Sequence, residues 1–213
     1  RGLNKDDLSD YQGAIDDYSE AIELDPKNSE AYASRAGTKF NLNYYQGAID
    51  DYAKAIESNP KNADLYVSRA GLKSIINDYQ GAIDDYSKAI ELDPKNPKLY
   101  VSRANAKHDS GDDQVSIDDY SKAIELDPKN PKIYSYRADV KSLMNDYQGA
   151  IDDYSKAIEL DPNNSEAYAS RADKKNLLGD FQGAKDDYFK VNELTKNNEE
   201  LNLENFLEET KNI

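Results

Sequence analysis

The sequence predicts an all-α protein built as a solenoid of antiparallel helix hairpins. The phrase YQGAIDDY begins at Tyr11, Tyr45, Tyr79 and Tyr147 and returns in altered form at Asp113 and Phe181, so that it recurs every 34 residues. Within each copy the apolar residues follow one another at helical spacing. A fixed period of this length is typical of stacked repeats, in which each unit buries its apolar face against its neighbours.

The repeated phrase predicts one helix of each hairpin, which we call helix B. In the copy that begins at Tyr79, the residues Ile83, Tyr86 and Ile90 follow at intervals of three or four, which places them on one helix face. Pro94 ends this helix because proline lacks a backbone donor and disfavours helical geometry in the residue before it. The equivalent stops are Pro26, Pro60, Pro128 and Pro162.

A second helix, helix A, follows a short polar turn. Pro97 favours a helix start, and Tyr100, Arg103 and Lys107 lie on one face of the helix that follows. The turn after helix A is short, as expected between antiparallel neighbours. The predicted hairpins span residues 29–62, 63–96, 97–130, 131–164 and 165–198. A truncated first repeat, 1–28, precedes them, with helix A at 1–9 and helix B at 10–24.

The two ends of the array differ from the internal repeats. In the last copy Lys185 and Asn192 make helix B polar, and Lys196 replaces the proline that ends the other copies. Residues 199–213 carry Leu203 and Phe206 at helical spacing and are predicted to form a separate capping helix. The first helix B has no complete partner, so its apolar face predicts self-association through the N-terminal end.

Helix A carries Arg and Lys on the face that otherwise points inward, as at Arg103 and Lys107. One interpretation is a cationic ladder for an acidic ligand. The other, which we favour, pairs these cations with the equally periodic Asp pairs such as Asp118 and Asp119, with one Asp of each pair facing inward. Buried cations need anionic partners, and these recur with the same period.

The helix B that begins at Asp113 departs from the repeated phrase. Asp113 replaces the tyrosine that opens the other copies, and Ser116 replaces a packing alanine. We therefore expect this helix to be the most loosely packed internal helix and a candidate hinge.

Composition narrows the class of partner. The chain has 42 acidic against 27 basic residues, a net charge of -15. Such a charge disfavours nucleic acids and anionic membranes and favours a neutral or basic protein partner. The sequence holds no apolar run long enough for a membrane span and has no signal peptide pattern. Because it begins without Met, we expect it to continue upstream; the compartment is left open, with the cytoplasm favoured.

The sequence offers no catalytic, cofactor or metal site. It contains no Cys and a single His, His108, which excludes thiolate and multi-histidine metal sites. Paired carboxylates abound but repeat identically, whereas a catalytic pair needs two different environments. We therefore predict a protein that is not an enzyme and uses no cofactor.

These residues resemble the tetratricopeptide repeat (TPR), a family of 34-residue helix hairpins, over almost the whole chain. Tyr32 and Ala36 match the aromatic and small residues of helix A, and Ala48, Tyr52 and Ala55 match the landmarks of helix B. The resemblance implies a right-handed superhelix whose concave groove is lined by helix A. It also implies a noncatalytic scaffold that binds a segment of a partner protein in that groove.

The resemblance assigns fixed positions of helix A to ligand binding. In this chain those positions supply the candidate partner-binding residues Phe40, Asn41, Val67, Ser68, Ile75, Val101, Asn105, His108, Tyr136, Asp139, Leu143, Asp173 and Leu177. Phe40 and Tyr136 are the favoured anchors because binding hot spots are enriched in aromatic residues. The Lys and Asn set with which one TPR subgroup grips acidic C-terminal tails is missing. Alternative functions are self-assembly through the solenoid ends and a regulatory arm of a larger enzyme.

Overall fold

A computed structural model describes the backbone from Lys5 to Lys211 and the side chains of residues 11–196, and this part of the chain is helical with no strand. The helices are α1 (Lys5–Leu24), α2 (Ser29–Asn41), α3 (Tyr45–Ser58), α4 (Ala63–Ile75), α5 (Tyr79–Leu92), α6 (Pro97–Asp109), α7 (Asp113–Leu126), α8 (Pro131–Leu143), α9 (Tyr147–Leu160), α10 (Ser165–Leu177) and α11 (Phe181–Lys211). The even-numbered helices are the predicted helices A, and α3, α5, α7 and α9 are predicted helices B. The all-α array of helix hairpins is confirmed.

Each helix A begins with a side-chain cap that the sequence pattern repeats. The Asn before the helix accepts a hydrogen bond from a backbone N–H in its first turn, as Asn62 does from Asp64. This bond satisfies one of the backbone donors that a helix N-terminus leaves unpaired. The capping residues are Asn28, Asn62, Asn96, Asn130 and Asn164.

The turn from helix A to helix B needs one residue with left-handed backbone geometry. Asn43 adopts φ 61°, and its N–H bonds to the carbonyl of Phe40 while the N–H of Tyr44 bonds to that of Lys39. This is the Schellman arrangement, which favours Asn or Gly. The equivalent residues at positive φ are Asn77, Gly111, Asn145 and Gly179.

The chain divides into two compact units, Arg1–Asp119 and Tyr120–Ile213. In the first unit α2 packs on α3 and α4 on α5, while α1, α3 and α5 each pack on the helix A that follows. Its core contains the fully buried alanines Ala36, Ala48, Ala70 and Ala82. The small residues allow the helices of a hairpin to approach closely, so the aromatic residues pack around them.

The second unit repeats the same packing. Here α8 packs on α9, α9 on α10 and α10 on α11. Ala138, Ala150 and Ala157 are fully buried in its core, with Tyr134 and Tyr154 beside them.

The periodic cations of helix A pair with the inward-facing aspartate of helix B in every described hairpin. In the hairpin α4–α5, the guanidinium nitrogens Nε and Nη2 of Arg69 lie 2.8 and 2.6 Å from the two carboxylate oxygens of Asp85. The Nζ atom of Lys73 lies 2.9 Å from the same carboxylate. The first aspartate of the pair, Asp84, faces solvent. The pairing interpretation is therefore correct, and these cations form part of the framework.

Three of these arginines, Arg35, Arg103 and Arg171, also contact both an aromatic ring and a serine hydroxyl. Arg171 lies 5.5 Å from the centre of the Tyr168 ring, and its Nη1 atom donates to the Ser155 hydroxyl of the preceding hairpin at 3.0 Å. Its other nitrogens bond to Asp187. One guanidinium thus joins a carboxylate, a hydroxyl and an aromatic face.

The helix boundaries at the two ends differ from the prediction. The backbone of α1 continues from Lys5 to Leu24, whereas the sequence predicts a break between residues 9 and 10. In the other hairpins the turn residue is Asn or Gly, but here Ser9 occupies that position, and left-handed geometry is costly for serine.

At the other end α11 continues from Phe181 to Lys211, so its backbone has no break before residue 199 and no separate capping helix begins there. Lys196 allows the helix to continue where the other copies have a proline that stops it. The side chains of the predicted capping segment lie outside the described residues. The repeat boundaries at the two ends stay predictions.

In the altered helix α7, the small residue of the first turn is still buried. Ser116 is fully buried, and its hydroxyl donates to the backbone carbonyl of Asp113 at 2.8 Å. The serine therefore occupies the alanine position without leaving its hydroxyl unpaired. The expectation that α7 is a hinge stays a prediction.

Candidate functional site

The positions that the family resemblance assigns to ligand binding lie on helices A. In each compact unit, the structure brings some of these positions together around a cavity. The two cavities differ in chemistry, because the side chains that the repeats present at these positions differ.

The cavity of the first unit, the apolar pocket, has a volume of about 270 Å³. Phe40 and Ile75 lie at its edge and remain 41% and 50% exposed, respectively. It is lined by Phe40, Tyr52, Val67, Ser68, Gly71, Leu72 and Ile75. Helices α2 and α4 supply six of these residues, and Tyr52 reaches the pocket from α3.

Two features define the shape of the apolar pocket: a glycine on its lining and a contact between two aromatic rings. Gly71 has no side chain, and the nearest atom that a Cβ would meet there is the Tyr86 hydroxyl, 4.0 Å away. The centre of the Phe40 ring lies 6.1 Å from that of the Tyr45 ring at a tilt of 45°, a contact that restrains the Phe40 side chain. The space above the glycine is thus available to an apolar group.

The cavity of the second unit, the acidic pocket, has a volume of about 280 Å³. It combines two carboxylates, Asp139 and Glu166, with one cation, Lys132, and the partly exposed ring of Tyr136. It is lined by Lys132, Ser135, Tyr136, Asp139, Tyr154, Asn164, Glu166, Ala167 and Ser170. Its formal charge is therefore negative.

A tyrosine from helix B positions one of these carboxylates. The Tyr154 hydroxyl donates to Oδ1 of Asp139 at 2.6 Å. Burial, together with the hydrogen bond to the Asp139 carboxylate and its negative charge, raises the pKa of Tyr154 above its ordinary value. Tyr154 therefore stays a protonated donor at neutral pH. The Tyr136 ring packs 6.3 Å from the Tyr120 ring, which limits the positions it can take.

One position of helix A decides the difference between the pockets. At 34-residue intervals it is occupied by Gly37, Gly71, Asn105, Asp139 and Asp173. The tyrosine of helix B points toward this position: Tyr188 donates to Asp173 as Tyr154 does to Asp139. In the first unit this position is Gly71, which has no side chain to bond to the Tyr86 hydroxyl; that hydroxyl lies 4.0 Å from where a Cβ would stand.

Family profiles of the tetratricopeptide repeat match this chain at residues 1–70, 75–111, 104–144, 131–164 and 154–186. The matches follow one another along the array and agree with the observed hairpins. The chain belongs to the tetratricopeptide repeat family. TPR arrays serve as protein-interaction scaffolds, and the family and fold are typical of proteins without catalysis.

Solved TPR structures share this fold at low sequence identity. A crystal structure of MamA is 23% identical, covers 78% of this chain and 96% of its own, and superimposes with a TM-score of 0.72. The C-terminal part of a TPR protein from Cytophaga hutchinsonii is 19% identical, with coverage of 89% and 76% and a TM-score of 0.78.

YrrB, described as a TPR protein with an unusual peptide-binding site, is 17% identical, with coverage of 83% and 91% and a TM-score of 0.68. Identities in this range show the TPR fold alone. Comparison with curated protein sequences gave no significant match.

The two pockets contain six of the thirteen candidate TPR groove residues. Phe40, Val67, Ser68 and Ile75 line the apolar pocket, and Tyr136 and Asp139 line the acidic pocket. The structure leaves the other seven outside both cavities: Asn41, Val101, Asn105, His108, Leu143, Asp173 and Leu177. Leu143 and Leu177 are largely exposed.

His108 contacts the first residue of the following helix, and its role in binding stays a prediction. Its Nδ1 atom lies 2.6 Å from Oδ1 of Asp113, the residue that replaces the helix B tyrosine. In three other TPR turns the tyrosine at this place donates to the turn asparagine, as Tyr79 does to Asn77. The His108–Asp113 contact therefore takes over a connection between the two helices of its hairpin.

Sequence reasoning missed the contribution of helix B to the pockets. Tyr52 and Tyr154 match a TPR framework position, which predicts a role in packing alone. Glu166 and Asn164 were also missed, since they lie at the start of the next helix A. The available signal was the change from Gly to Asp at the helix A position opposite the tyrosine hydroxyl.

The part of the chain whose side chains are described shows no cluster of three or more potential metal ligands. None of the described helices has the length and apolar character that crossing a bilayer requires.

Proposed function

We propose that this TPR array is a noncatalytic scaffold that binds a segment of a partner protein on the surface of its helices A. The observation that supports the proposal is a cavity on these helices in each unit, with a partly exposed aromatic ring at its edge. Phe40 and Tyr136 are each 41% exposed. Aromatic residues in such positions are typical anchors of protein interfaces.

The size of the cavities favours side chains of a peptide over a small-molecule ligand. Their volumes of about 270 and 280 Å³ lie at or below the lower end of the roughly 300–1,000 Å³ usual for small-molecule sites. Each pocket is therefore suited to one side chain of a longer segment. The peptide-binding site of YrrB provides a precedent within the same fold.

The charge of the chain favours a neutral or basic partner. A net charge of -15 repels phosphate backbones and anionic lipid surfaces, so neither a nucleic acid nor a membrane is the proposed partner. The apolar pocket then accepts an apolar side chain of the partner segment, because its lining holds no charged residue.

A peptide selection tests the proposal. A random-peptide display library is selected on the wild-type chain, and the recovered peptides are measured against Phe40→Ala, Tyr136→Ala and the double variant. Phe189→Ala is the matched control, because Phe189 is 72% exposed and lies outside both cavities. We expect the double variant to weaken binding at least about tenfold, the usual effect of removing hot-spot anchors. Peptides that bind the double variant and the wild type equally would refute the assignment.

Self-association through α1 is a second candidate. Ala14 and Ile15 are only partly buried, whereas their counterparts Ala48 and Ile49 are buried in the core. A second copy of the chain could cover this face. Light scattering at increasing protein concentration tests it, and a mass that stays monomeric would count against it.

A further inference from the structure

We propose that the acidic pocket binds the guanidinium group of an arginine side chain of the partner segment. This inference rests on the function proposed above and adds the chemistry of the residue that enters this pocket. It commits to a cation at one place on the array, whereas the proposed function only requires that a segment binds.

The charges around the pocket favour a cation. Asp139 and Glu166 place two carboxylates against one ammonium, Lys132, on its lining. Neither Glu166 nor Lys132 forms an ion pair among residues 11–196. An incoming guanidinium would neutralise the remaining negative charge, and the charge of the whole chain would add to the attraction.

The uncharged groups of the lining also suit a guanidinium. The Tyr136 ring offers an aromatic face, and Ser135 and Ser170 offer hydroxyl oxygens. The Tyr154 hydroxyl already donates a hydrogen bond to Asp139, which restrains that carboxylate before a ligand arrives. Such restraint lowers the entropic cost of binding.

The framework of the same chain shows that this set of groups holds a guanidinium. The Nε and Nη2 atoms of Arg171 donate to the two carboxylate oxygens of Asp187 at 2.9 and 2.6 Å. Its Nη1 atom donates to the Ser155 hydroxyl at 3.0 Å, and the guanidinium carbon lies 5.5 Å from the centre of the Tyr168 ring. Carboxylate, serine hydroxyl and phenol ring are also among the groups that line the acidic pocket. The pocket thus repeats, on the surface, the chemistry that seats arginine in the interior.

Arginine is favoured over lysine for geometric reasons. The planar guanidinium can bond to a carboxylate with two parallel N–H groups and stack on an aromatic face at the same time. A lysine ammonium is a compact, strongly hydrated charge that satisfies one of these contacts at a time. The pocket should therefore distinguish the two cations.

Nuclear magnetic resonance titration of the full chain tests the inference with defined probes. The probes are short capped glycine peptides with one central residue: arginine, its uncharged analogue citrulline, lysine or glutamate. We expect the arginine peptide to shift the backbone amides of residues near Tyr136 and Ser170. The citrulline peptide should bind at least about fivefold more weakly than the arginine peptide, because it loses the charge-assisted bonds and the cation–π contact. The lysine peptide should bind with intermediate affinity, because it keeps the charge but reduces these contacts.

Charge variants identify the groups responsible. Asp139→Asn keeps an acceptor for Tyr154 but removes the charge, and Glu166→Gln removes the charge of the other carboxylate on the lining; each should weaken arginine binding several-fold. Lys132→Ala should strengthen it, because a competing cation is removed. Asp152→Asn is the matched control, since this exposed aspartate lies outside the pocket and bonds to Gln148.

The outcomes separate this inference from the proposed function. Equal affinity for the arginine and citrulline peptides, tighter binding of the glutamate peptide, or no shift near the pocket at millimolar probe would overturn it. The scaffold function would survive those results if the library peptides still depend on Phe40. Loss of that dependence would instead remove the scaffold function on which the inference rests.

Discussion

The buried aspartate of each hairpin should be far more important for stability than the exposed aspartate that precedes it. The proposed perturbation is Asp85→Asn in the hairpin α4–α5. It preserves the size of the side chain and removes the negative charge that faces Arg69 and Lys73. The matched change is Asp84→Asn, one residue earlier on the same helix.

The burial of the three partners determines the magnitude. Asp85 is 4% exposed, and the side chains of Arg69 and Lys73 are each 18% exposed. Removing one member of a buried ion pair costs roughly 3–5 kcal/mol because the other charge is left uncompensated. The two cations keep some access to water, so we expect a loss at the lower limit, about 3 kcal/mol.

The control should lose little. Asp84 faces solvent and accepts a hydrogen bond from Nε2 of Gln80 at 2.9 Å, a bond that asparagine can also accept. Exposed substitutions of this kind usually change stability by less than about 0.5 kcal/mol.

Urea unfolding followed by far-ultraviolet circular dichroism measures the two variants. Because a repeat array need not unfold in one step, amide hydrogen exchange in α4 and α5 provides the local measurement. Losses of equal size in Asp85→Asn and Asp84→Asn would refute the view that the buried triad supports the hairpin.

Four further substitutions, two of them a matched pair at glycines, test single positions. Burial opposes the ionised form of Asp187, but hydrogen bonds and charge from its Arg and Lys partners lower its pKa overall. Its contribution is therefore complete above the unfolded pKa of about 3.9 and is lost as the pH falls through the lower folded value. The difference in unfolding free energy between wild type and Asp187→Asn should shrink below about pH 4, and a difference independent of pH would contradict this. Gly13→Ala should stabilise the chain by about 1 kcal/mol in urea unfolding, because open space surrounds the position within a helix. Gly81→Ala should leave the free energy of unfolding unchanged. The new Cβ would displace the Asp78 carboxylate that caps α5, and the loss of that cap would offset the gain in helix propensity. An equal gain in stability in Gly13→Ala and Gly81→Ala would show that the cap is unimportant. Ser116→Ala should stabilise α7 by about 0.5 kcal/mol, measured as slower amide exchange in that helix, because alanine is the better helix former; faster exchange would contradict it.

The internal repetition of the sequence made most of the fold predictable. Six copies of one phrase each predict the same helix, so the prediction does not depend on a chance pattern in any single copy. The pairing of the helix A cations with the Asp pairs could be favoured in the same way, since opposite charges recurred with one period. Which aspartate of each pair faces inward, such as Asp85 and not Asp84, is known only from the structure. The repeated proline defined where helix B ends.

The helix boundaries at the ends of the array were less predictable, because a repeated pattern does not indicate where the repeat changes. Ser9 and Lys196 are single substitutions at positions where internal repeats have a turn residue or a helix stop. Their effect depends on the cost of a local backbone geometry rather than on the pattern of apolar residues. The helices consequently continue through both positions.

The candidate site was predicted in part. Phe40 and Tyr136 each lie at the edge of a cavity, and their role in binding a partner stays a prediction. The contribution of Tyr154 to the acidic pocket was missed, because a residue that recurs in every repeat is expected to have a structural role. Its role emerges only from the residue opposite its hydroxyl, which the sequence places fifteen positions away on another helix.

That tyrosine links the constant framework to the variable surface. A partly buried hydroxyl needs a hydrogen-bond partner, so the helix A residues around it must supply one. Two serines adjoin each tyrosine hydroxyl, Ser74 and Ser102 at Tyr86 and Ser142 and Ser170 at Tyr154. The difference lies at the helix A position that each hydroxyl faces: Gly71 has no side chain and leaves space for an apolar pocket, whereas Asp139 accepts a bond from Tyr154 and brings a carboxylate to the surface. The same helix B phrase thus supports two pockets of different chemistry. A change at one helix A position can therefore alter which side chain a repeat accepts while the packing of its hairpin stays the same.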